Sequence, residues 1–387
     1  MGTRLWWLQF SPFGTQMMRI VLFGATGSIG TQSLDVLRHN HERFEVAALT
    51  AFSQKEKCEV LAKEFSAKAV TGDLNEKQIR TLIEMGDTII NALPGFKGLQ
   101  VSVDALKAGK ILLSANKESL AIAGKYLKAL AEKHGAEIRP LDSEAAALWE
   151  LINEHGREKL KTVTLTCSGG PFYGKKREDL KQVTRAEALN HPTWKMGPKV
   201  SIDSATLVNK VLEVYEVHHL FEIPLSDIHI TIHRQSYVHG ILHTVTGGTR
   251  MRVGPRDMRL PIAHALYYPE KSLYRSKESF PKKNELSFEQ ADEETFRPLA
   301  WLRQHKGNPN FPIVLNALND LAVQWFLDKK ITFTEIWDFI ENELTNWIYE
   351  IPPKDLEGVI QFHQTITKAY EHRDFTGRGK IHASRTK

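Results

Sequence analysis

A pair of closely spaced carboxylates offers the residue types of a divalent-metal site. Asp142 and Glu144 stand two residues apart, where a strand-like run ends and a helix-like pattern begins. Two carboxylates so placed can face one ion, and oxygen ligands suit Mg²⁺ or Mn²⁺. The same stretch also fits ordinary helix capping, with Asp142 or Ser143 as the N-cap and Glu144 in the first turn. The residues alone leave both interpretations open.

A second polar group interrupts an otherwise apolar helix. Residues 204–221 are apolar almost all round, which predicts a buried helix. Asn209 and Glu213 share one face of that helix at about 100° per residue, with Lys210 on its flank. A buried lysine and glutamate are costly without partners. The group is therefore either a structural Lys–Glu pair or a polar site for an anionic, metal-bound ligand.

A glycine-rich turn, GATGSIG at 24–30, follows a strand-like run and opens a helix-like one. Glycines let the backbone approach a pyrophosphate, and the helix N-terminus offers free N–H groups. The spacing is GxxGxxG rather than GxGxxG, so a tight turn without a ligand is the alternative. The flanking strand and helix favour a nucleotide site.

Two further loops have a composition suited to a phosphate and a lid. SGGPF at 168–172 combines small residues with proline, and its N–H and hydroxyl groups could hold a phosphate. Trp194 and Met196, in HPTWKMG at 191–197, could close over a ligand and exclude water. An ordinary surface loop with a core-anchored tryptophan is the alternative.

Six histidines lie between 218 and 243, namely His218, His219, His229, His233, His239 and His243. Their spacing does not match a zinc motif, and 229 and 233 fall on one face of a strand. A polar sheet face is the favoured interpretation.

The elements that must position these residues fall into an α/β pattern. Strand-like runs alternate with helical ones, which predicts βαβ units and a parallel sheet over 17–142. The runs are at 19–25, 44–50, 87–93, 110–115 and 136–141.

The remainder of the chain predicts two more domains. Residues 143–268 mix the 204–221 helix with strands near 162–166 and 228–253, which indicates an α+β domain. Residues 269–295 are charged and predict a linker. Residues 296–387 have helical spacing and a polar tail. Residues 1–16 are interpreted as an extension or an alternative start, outside the fold.

Composition excludes several classes of protein. The 387 residues are 42% hydrophobic and 25% charged, unlike a disordered or collagen-like chain. No apolar run approaches the roughly 18 residues of a membrane span. Cys58 and Cys167 are too few and too distant for a disulfide framework, which favours a reducing compartment. A net charge of +5 suits anionic small molecules better than nucleic acid.

These segments together resemble one family, 1-deoxy-D-xylulose 5-phosphate reductoisomerase, from about residue 19 to beyond 327. The markers occur in order along the chain: GATGSIG, SANKESL (114–120), LDSE (141–144), SGGPF, HPTWKMG, DSATLVNK (203–210) with Glu213, and RDMRLPIAHALYYP (256–269). Any one of them could arise by chance, whereas the ordered set is highly specific.

The resemblance implies a fold and an activity. It implies an N-terminal Rossmann-like domain, a central α+β catalytic domain and a C-terminal helical domain. The activity is a metal-dependent conversion of 1-deoxy-D-xylulose 5-phosphate, a phosphorylated keto-sugar, to 2-C-methyl-D-erythritol 4-phosphate with NADPH, in non-mevalonate isoprenoid biosynthesis. A cytoplasmic homodimer is expected, or a plastid-type location in a plastid-bearing source, with no nucleic-acid or membrane partner.

The resemblance also assigns residues to roles. The divalent cation (Mn²⁺, Mg²⁺ or Co²⁺) is assigned to Asp142, Glu144 and Glu213, which act in catalysis together with Lys117. Substrate contacts are assigned to Ser143, Ser168, His191, Trp194, Met196, Ser204, Asn209 and Lys210. Cofactor contacts are assigned to Gly24, Thr26, Gly27, Ser28, Ile29, Asn116, Glu118 and Gly197.

Three departures from the family pattern stand out. Ala145 and Ala146 replace a His-Asn pair, which removes support from outside the ligand set. Val211 replaces a glycine. Residues 52–54, Phe-Ser-Gln, replace the Gly-Lys-Asn stretch that reads the 2′-phosphate of NADPH, although Lys55 lies one position on. NADH therefore stays open as an alternative cofactor.

Two rival functions also stay open. One is a divergent family member or another Rossmann oxidoreductase, acting on a related phosphorylated sugar or, without a metal, on a small aldehyde. The other is a non-catalytic nucleotide- or nucleic-acid-binding protein, suggested by the basic tail. That tail lacks interleaved aromatic residues, which disfavours it.

Overall fold

A computed structural model describes residues 17–272, 274–276, 285–371, 373 and 375 of the chain. The predicted extension at 1–16, part of the predicted linker (273 and 277–284) and most of the predicted tail lie outside the described residues. No helix in these described ranges is long and apolar enough to cross a membrane.

The first domain is built on a six-stranded sheet in the order β3-β2-β1-β4-β5-β6. Every neighbouring pair is parallel, which confirms the predicted parallel sheet. The strands are β1 Met18–Phe23, β2 Phe44–Ala51, β3 Lys68–Thr71, β4 Thr88–Asn91, β5 Ile111–Ser114 and β6 Glu137–Pro140. The helices between them are α1 Ser28–Arg38, α2 Lys55–Glu64, α3 Glu76–Ile83, α4 Gly98–Lys107 and α5 Lys117–His134.

The glycine-rich turn leads from β1 into α1 beside a reversal of strand order. Ile20 to Phe23 are completely buried, as expected for a central parallel strand covered on both faces. A Cβ on Gly30 would lie 2.2 Å from the carbonyl oxygen of Gly24, so only glycine lets α1 start this close to the strand. The strand order reverses between β1 and β4, and such a reversal opens a crevice at the carboxyl ends of the strands.

The second domain has a four-stranded mixed sheet in the order β10-β9-β7-β8. Its strands are β7 Leu160–Cys167, β8 Ile228–Ile232, β9 Val238–Thr244 and β10 Thr249–Val253. Its helices are α6 Ser143–His155, α7 Arg185–Leu189, α8 Pro198–Thr206, α9 Val208–Phe221 and α10 Arg259–Tyr267. The predicted α+β arrangement is present.

The single helix predicted over 204–221 is wrong at its start. The chain forms α8, breaks at Leu207 and continues as α9. Leu207 has φ +64°, a left-handed conformation, and its side chain is buried in the core. Tertiary packing overrides the continuous apolar pattern here, and the break turns both helices toward one cavity.

The last described region is helical, as predicted, and supports the second domain. Its helices are α11 Arg297–His305, α12 Phe311–Leu327, α13 Phe333–Trp347 and α14 Leu356–Ala369. Its core contains several fully buried aromatic side chains, including Trp301, Phe311, Phe333 and Trp337. The indole N–H of Trp337 donates to the carbonyl of Thr206 at 3.3 Å, which anchors the end of α8.

Candidate active site

An open cavity lies where the parallel sheet meets the second domain, with about 1030 Å³ of empty space that is partly continuous with solvent. Fifteen residues assigned to the site at the sequence level line it: Ser28, Ile29, Lys117, Asp142, Ser143, Glu144, Ser168, His191, Trp194, Met196, Gly197, Ser204, Asn209, Lys210 and Glu213. Gly24, Thr26, Gly27, Asn116 and Glu118 do not line it. The cavity therefore collects residues from both domains and from six separate motifs.

Three carboxylates converge on one side of this cavity. Oxygen atoms of Asp142, Glu144 and Glu213 all lie within 4.8 Å of one another, and they form the group of potential metal ligands among the described residues. Asp142 precedes α6 in an extended conformation, yet its side chain makes no capping hydrogen bond. The capping interpretation of Asp142 is therefore not what the structure shows, since its carboxylate faces the other two instead.

Two buried lysines neutralise much of this negative charge. The ammonium of Lys117 lies 2.5 Å from Asp142 Oδ1 and 2.9 Å from Glu213 Oε1. Lys210 lies 2.7 Å from Glu144 Oε1 and also pairs with Glu213. Three carboxylates against two ammonium groups leave one net negative charge. The structure thus places Lys210, assigned to substrate contacts, among the carboxylates.

The environment shifts the pKa values of the two carboxylates that flank Ser143 in opposite directions. Burial raises the pKa of Asp142, and the nearby Lys117 only partly opposes this. Burial also acts to raise the pKa of Glu144, but Lys210 and Lys117 outweigh it and hold that pKa below its ordinary value. Glu144 is thus the more firmly ionised of the pair.

The carboxylate group fits a hard divalent cation. Its donors are all oxygens, the set that Mg²⁺ and Mn²⁺ prefer. The Oδ2 atom of Asp142 is buried and accepts no hydrogen bond from the part of the chain that the structure describes. A buried carboxylate oxygen without a partner is costly, and a bound cation would satisfy it.

A serine and a histidine form a polar pair at the other side of the cavity. Ser168 Oγ lies 3.0 Å from His191 Nε2, and His191 Nδ1 accepts a hydrogen bond from the Trp194 backbone N–H at 3.0 Å. Burial lowers the pKa of His191 to about 4, so the ring is neutral at pH 7. With Nδ1 accepting, Nε2 carries the proton and donates to Ser168. The hydroxyl proton of Ser168 is then free to point at a ligand.

The segment assigned as a lid touches both sides of the cavity. The side chain of Trp194 lies 6.1 Å from the His239 ring, between centroids, and belongs to none of the hydrophobic clusters among the described residues. Ser28 Oγ, in the nucleotide turn, donates to the Lys195 carbonyl at 3.0 Å. The core-anchored interpretation of Trp194 therefore lacks support.

The side chains of Asn116 and Glu118 point into the protein rather than into the cavity. Asn116 Nδ2 donates to the carbonyls of Leu93 and Gly95 at 2.8 and 2.9 Å. Glu118 Oε1 accepts from the Gly95 N–H at 2.9 Å. Their observed task is to hold the loop that follows β4, and their cofactor contacts remain a prediction.

The departures from the family pattern have structural counterparts. Ala145 and Ala146 are completely or almost completely buried, where they pack as part of the core. Phe52 is 60% exposed, and the Lys97 ammonium lies 4.7 Å from its ring centroid. Lys55 begins α2 directly after this loop.

Sequence reasoning missed His239, which lines the same cavity. Burial lowers its pKa, so it faces the site as a neutral ring. The sequence pattern places it with five other histidines on a polar sheet face. Its alternation with buried neighbours in β9 gave no signal that separated it from them.

The sequence matches family models of one known enzyme. Profiles described as "1-deoxy-D-xylulose 5-phosphate reductoisomerase" match residues 20–85 and 73–124. Profiles for the C-terminal domains of the same enzyme match residues 138–221 and 253–369. Together these matches cover most of the chain.

Curated relatives extend the match over nearly the whole length. The protein named 1-deoxy-D-xylulose 5-phosphate reductoisomerase from Clostridium botulinum is 38% identical over 379 residues, covering 91% of this chain and 98% of the relative. The protein of that name from Listeria monocytogenes is 37% identical, covering 92% and 99%.

Solved structures agree with the sequence comparisons. A crystal structure of DOX-P reductoisomerase with NADPH, fosmidomycin and magnesium superposes with a TM-score of 0.83 at 32% identity, covering 91% of this chain and 97% of that one. The Zymomonas mobilis enzyme in complex with NADPH gives a TM-score of 0.81 at 32% identity, covering 91% and 98%.

Proposed function

Because this chain belongs to the 1-deoxy-D-xylulose 5-phosphate reductoisomerase family, we propose that it converts 1-deoxy-D-xylulose 5-phosphate (DXP) to 2-C-methyl-D-erythritol 4-phosphate with NADPH and a divalent cation. The observation that carries this proposal is the convergence of Asp142, Glu144 and Glu213 in a cavity bordered by the nucleotide turn. A phosphorylated sugar, a cation and a nicotinamide can all be accommodated around that cavity.

Asp142, Glu144 and Glu213 would hold the cation. When bound, it supplies Lewis-acid stabilisation of the substrate's carbonyl and hydroxyl oxygens. Lys117 keeps a fixed ammonium beside two of these carboxylates, so it can stabilise negative charge that develops on the same oxygens as the carbon skeleton rearranges. Asn209, which hydrogen-bonds Glu213, keeps that carboxylate oriented.

The nucleotide turn and helix α1 would hold NADPH, the hydride donor. Ser28 and Ile29 line the cavity at the N-terminus of α1, where free N–H groups favour a pyrophosphate. A site specific for NADH usually carries an acidic residue at the end of the second strand, to bind the ribose 2′-hydroxyl. Here that position is followed by Phe52, Ser53 and Gln54, with Lys55 next. We therefore propose that NADPH is preferred to NADH.

The polar pair Ser168–His191 and the nearby Ser204 would bind the substrate phosphate. A neutral His191 orients Ser168, whose hydroxyl proton then donates to a phosphate oxygen. Gly170 makes this arrangement possible, because a Cβ there would lie 2.8 Å from the carbonyl of Ser204. Binding energy from the phosphate, remote from the reacting carbons, can then serve to orient the substrate and close the lid.

The decisive assay follows NADPH absorbance with DXP, first after EDTA treatment and then with Mn²⁺ restored, and identifies the product by mass spectrometry. We expect oxidation that depends on both DXP and Mn²⁺, and slower turnover with NADH. Absence of DXP-dependent oxidation in the presence of Mn²⁺ would reject the proposal. Turnover that persists in EDTA would favour the rival, a metal-independent oxidoreductase.

We also propose that the protein acts as a homodimer through its second sheet. Strand β10 is an edge strand of that sheet, and Met251 on it is 41% exposed. An exposed edge strand is a natural site for pairing with a second copy. Light scattering during gel filtration should give twice the chain mass of 44.0 kDa, and a monomer mass would contradict this.

A further inference from the structure

A buried cluster of charges surrounds Lys199, at the first turn of α8. Its ammonium lies 2.6 Å from Asp203 Oδ2, 3.1 Å from Asp320 Oδ1 and 3.6 Å from Glu118 Oε1. The Lys199 side chain is only 18% exposed, and those of Glu118 and Asp203 are almost completely buried. These carboxylates come from α5, α8 and α12, so elements of all three domains meet at one ammonium group.

On the cofactor side, this cluster reaches the loop after β4. Glu118 accepts a hydrogen bond from the Gly95 N–H, and Asn116 donates one to the Gly95 carbonyl, so both backbone polar groups of Gly95 are held in place. The loop follows the strand at which the sheet order reverses, where a dinucleotide is expected to bind. Glu118 also directly follows Lys117, which contacts the carboxylates of the cavity.

On the substrate side, the cluster fixes α8. This helix starts immediately after the lid residues, with Gly197 as its N-cap, and carries Ser204 to the cavity. Asp203 is held from its other side as well, because Asn319 of α12 donates to its Oδ1 at 2.7 Å. Lys199 itself does not line the cavity, so any effect it has on the reaction must act through other residues.

We propose that Lys199 is a positioning residue: by joining α8, α5 and α12, it fixes the substrate half of the cavity against the cofactor half at reacting distance. This inference rests on the proposed function, because it assumes a substrate on one half and a hydride donor on the other. We expect each half still to bind its own ligand when this link is weakened, whereas the reaction requires the two ligands to be held in register.

The test compares two matched substitutions on the C-terminal helices. Asp320→Asn weakens the Lys199 cluster, whereas Asp338→Asn weakens the ion pair between α13 and Arg177, which also joins the C-terminal helices to the central domain. We expect Asp320→Asn to lower kcat about tenfold at saturating DXP, while the NADPH Kd, measured by nicotinamide fluorescence, stays within about twofold. Asp338→Asn should leave both quantities unchanged. A Lys199→Met variant should lower kcat further, since it leaves three carboxylates without their shared cation.

A second readout does not depend on turnover. Amide hydrogen exchange should become faster in residues 92–98 and 198–206 of Asp320→Asn, but not of Asp338→Asn. Equal kcat and equal exchange in the two variants would overturn the positioning role and leave Lys199 a purely stabilising residue. If the unmodified protein has no DXP-dependent activity but the two variants still differ in exchange, the proposed function fails while the mechanical link between the halves stands.

Discussion

Replacing Glu213 with glutamine removes one negative charge from the carboxylate group and preserves the side-chain shape. Counting side chains alone, three carboxylates and two ammonium groups give a net charge of −1, and the substitution brings this to zero. Asp142 and Glu144 still balance Lys117 and Lys210 in the variant. We therefore expect Glu213→Gln to fold normally and to fail specifically in cation binding and turnover.

The expected loss of cation affinity follows from the charges and distances. Two unit charges 4 Å apart attract by about 4 kcal/mol at an effective dielectric constant of 20, so a dication loses up to about 8 kcal/mol of attraction. The amide oxygen remains as a neutral ligand, and the cost of desolvating the carboxylate disappears. If a third of the attraction is lost, about 2.7 kcal/mol, the Kd for Mn²⁺ rises about 100-fold.

Thermal and denaturant unfolding with and without Mn²⁺ measures this directly. At a concentration about 100 times its Kd, the cation stabilises the unmodified protein by about 2.7 kcal/mol. For a variant that binds about 100-fold more weakly, the same concentration gives only about 0.4 kcal/mol. Free Mn²⁺ measured by electron paramagnetic resonance gives the Kd independently of folding.

Glu216→Gln is the matched control. Glu216 lies one turn further along α9 and is completely buried, and neither of its carboxylate oxygens accepts a hydrogen bond among the described residues. It is not part of the carboxylate group, so its substitution should leave the Mn²⁺ Kd within about threefold. If Glu213→Gln also stays within that range, Glu213 is not a ligand. An equal loss in both variants would instead implicate the general negative potential.

Three further predictions concern the lid, the nucleotide turn and the helical domain. Trp194→Ala should raise the KM for DXP about tenfold with little change in Tm, since the Trp194 ring packs in no hydrophobic cluster of the described chain. A large drop in Tm would restore the interpretation of Trp194 as a core anchor. Gly30→Ala should weaken NADPH binding in a fluorescence titration and destabilise the fold by more than about 2 kcal/mol, because the new Cβ meets the Gly24 carbonyl oxygen at 2.2 Å. A near-normal NADPH affinity together with near-normal stability would refute the close-packing argument. Burial lowers the pKa of His363 to about 4 from 6.5, so the neutral ring contributes up to about 3 kcal/mol to the free energy of unfolding above pH 6.5, and this contribution is lost as the pH falls toward 4. Urea unfolding of His363→Phe should therefore show a flatter acid dependence, and an unchanged slope would exclude this histidine as its source.

Most of the sheet of the first domain could be predicted because its central strand is apolar on both faces. The run from Ile20 to Phe23 is buried completely, so the sequence leaves little choice of structure. Strand β3 was missed because its residues are exposed or half-buried and form no apolar run. The break at Leu207 was missed for the opposite reason. The apolar pattern continues through it, and only packing against distant helices holds a leucine at positive φ.

Residue types alone left the chemistry of the site ambiguous. They could not separate capping from metal binding at Asp142, because that depends on where the carboxylate points. The pairing of Lys117 with Glu213, 96 positions away, is set by the tertiary contact between α5 and α9. Lys199 was passed over because a single lysine at the start of a helix gives no sign that three carboxylates will surround it.

The ammonium groups of Lys117 and Lys210 balance most of the negative charge of the three carboxylates, even without a bound cation. Chelating agents should therefore inactivate this protein reversibly, without unfolding it. A stock purified in EDTA would look inert in an assay yet recover on simple addition of Mn²⁺, with no refolding step. An activity screen without added divalent metal would then report a correctly folded preparation as inactive.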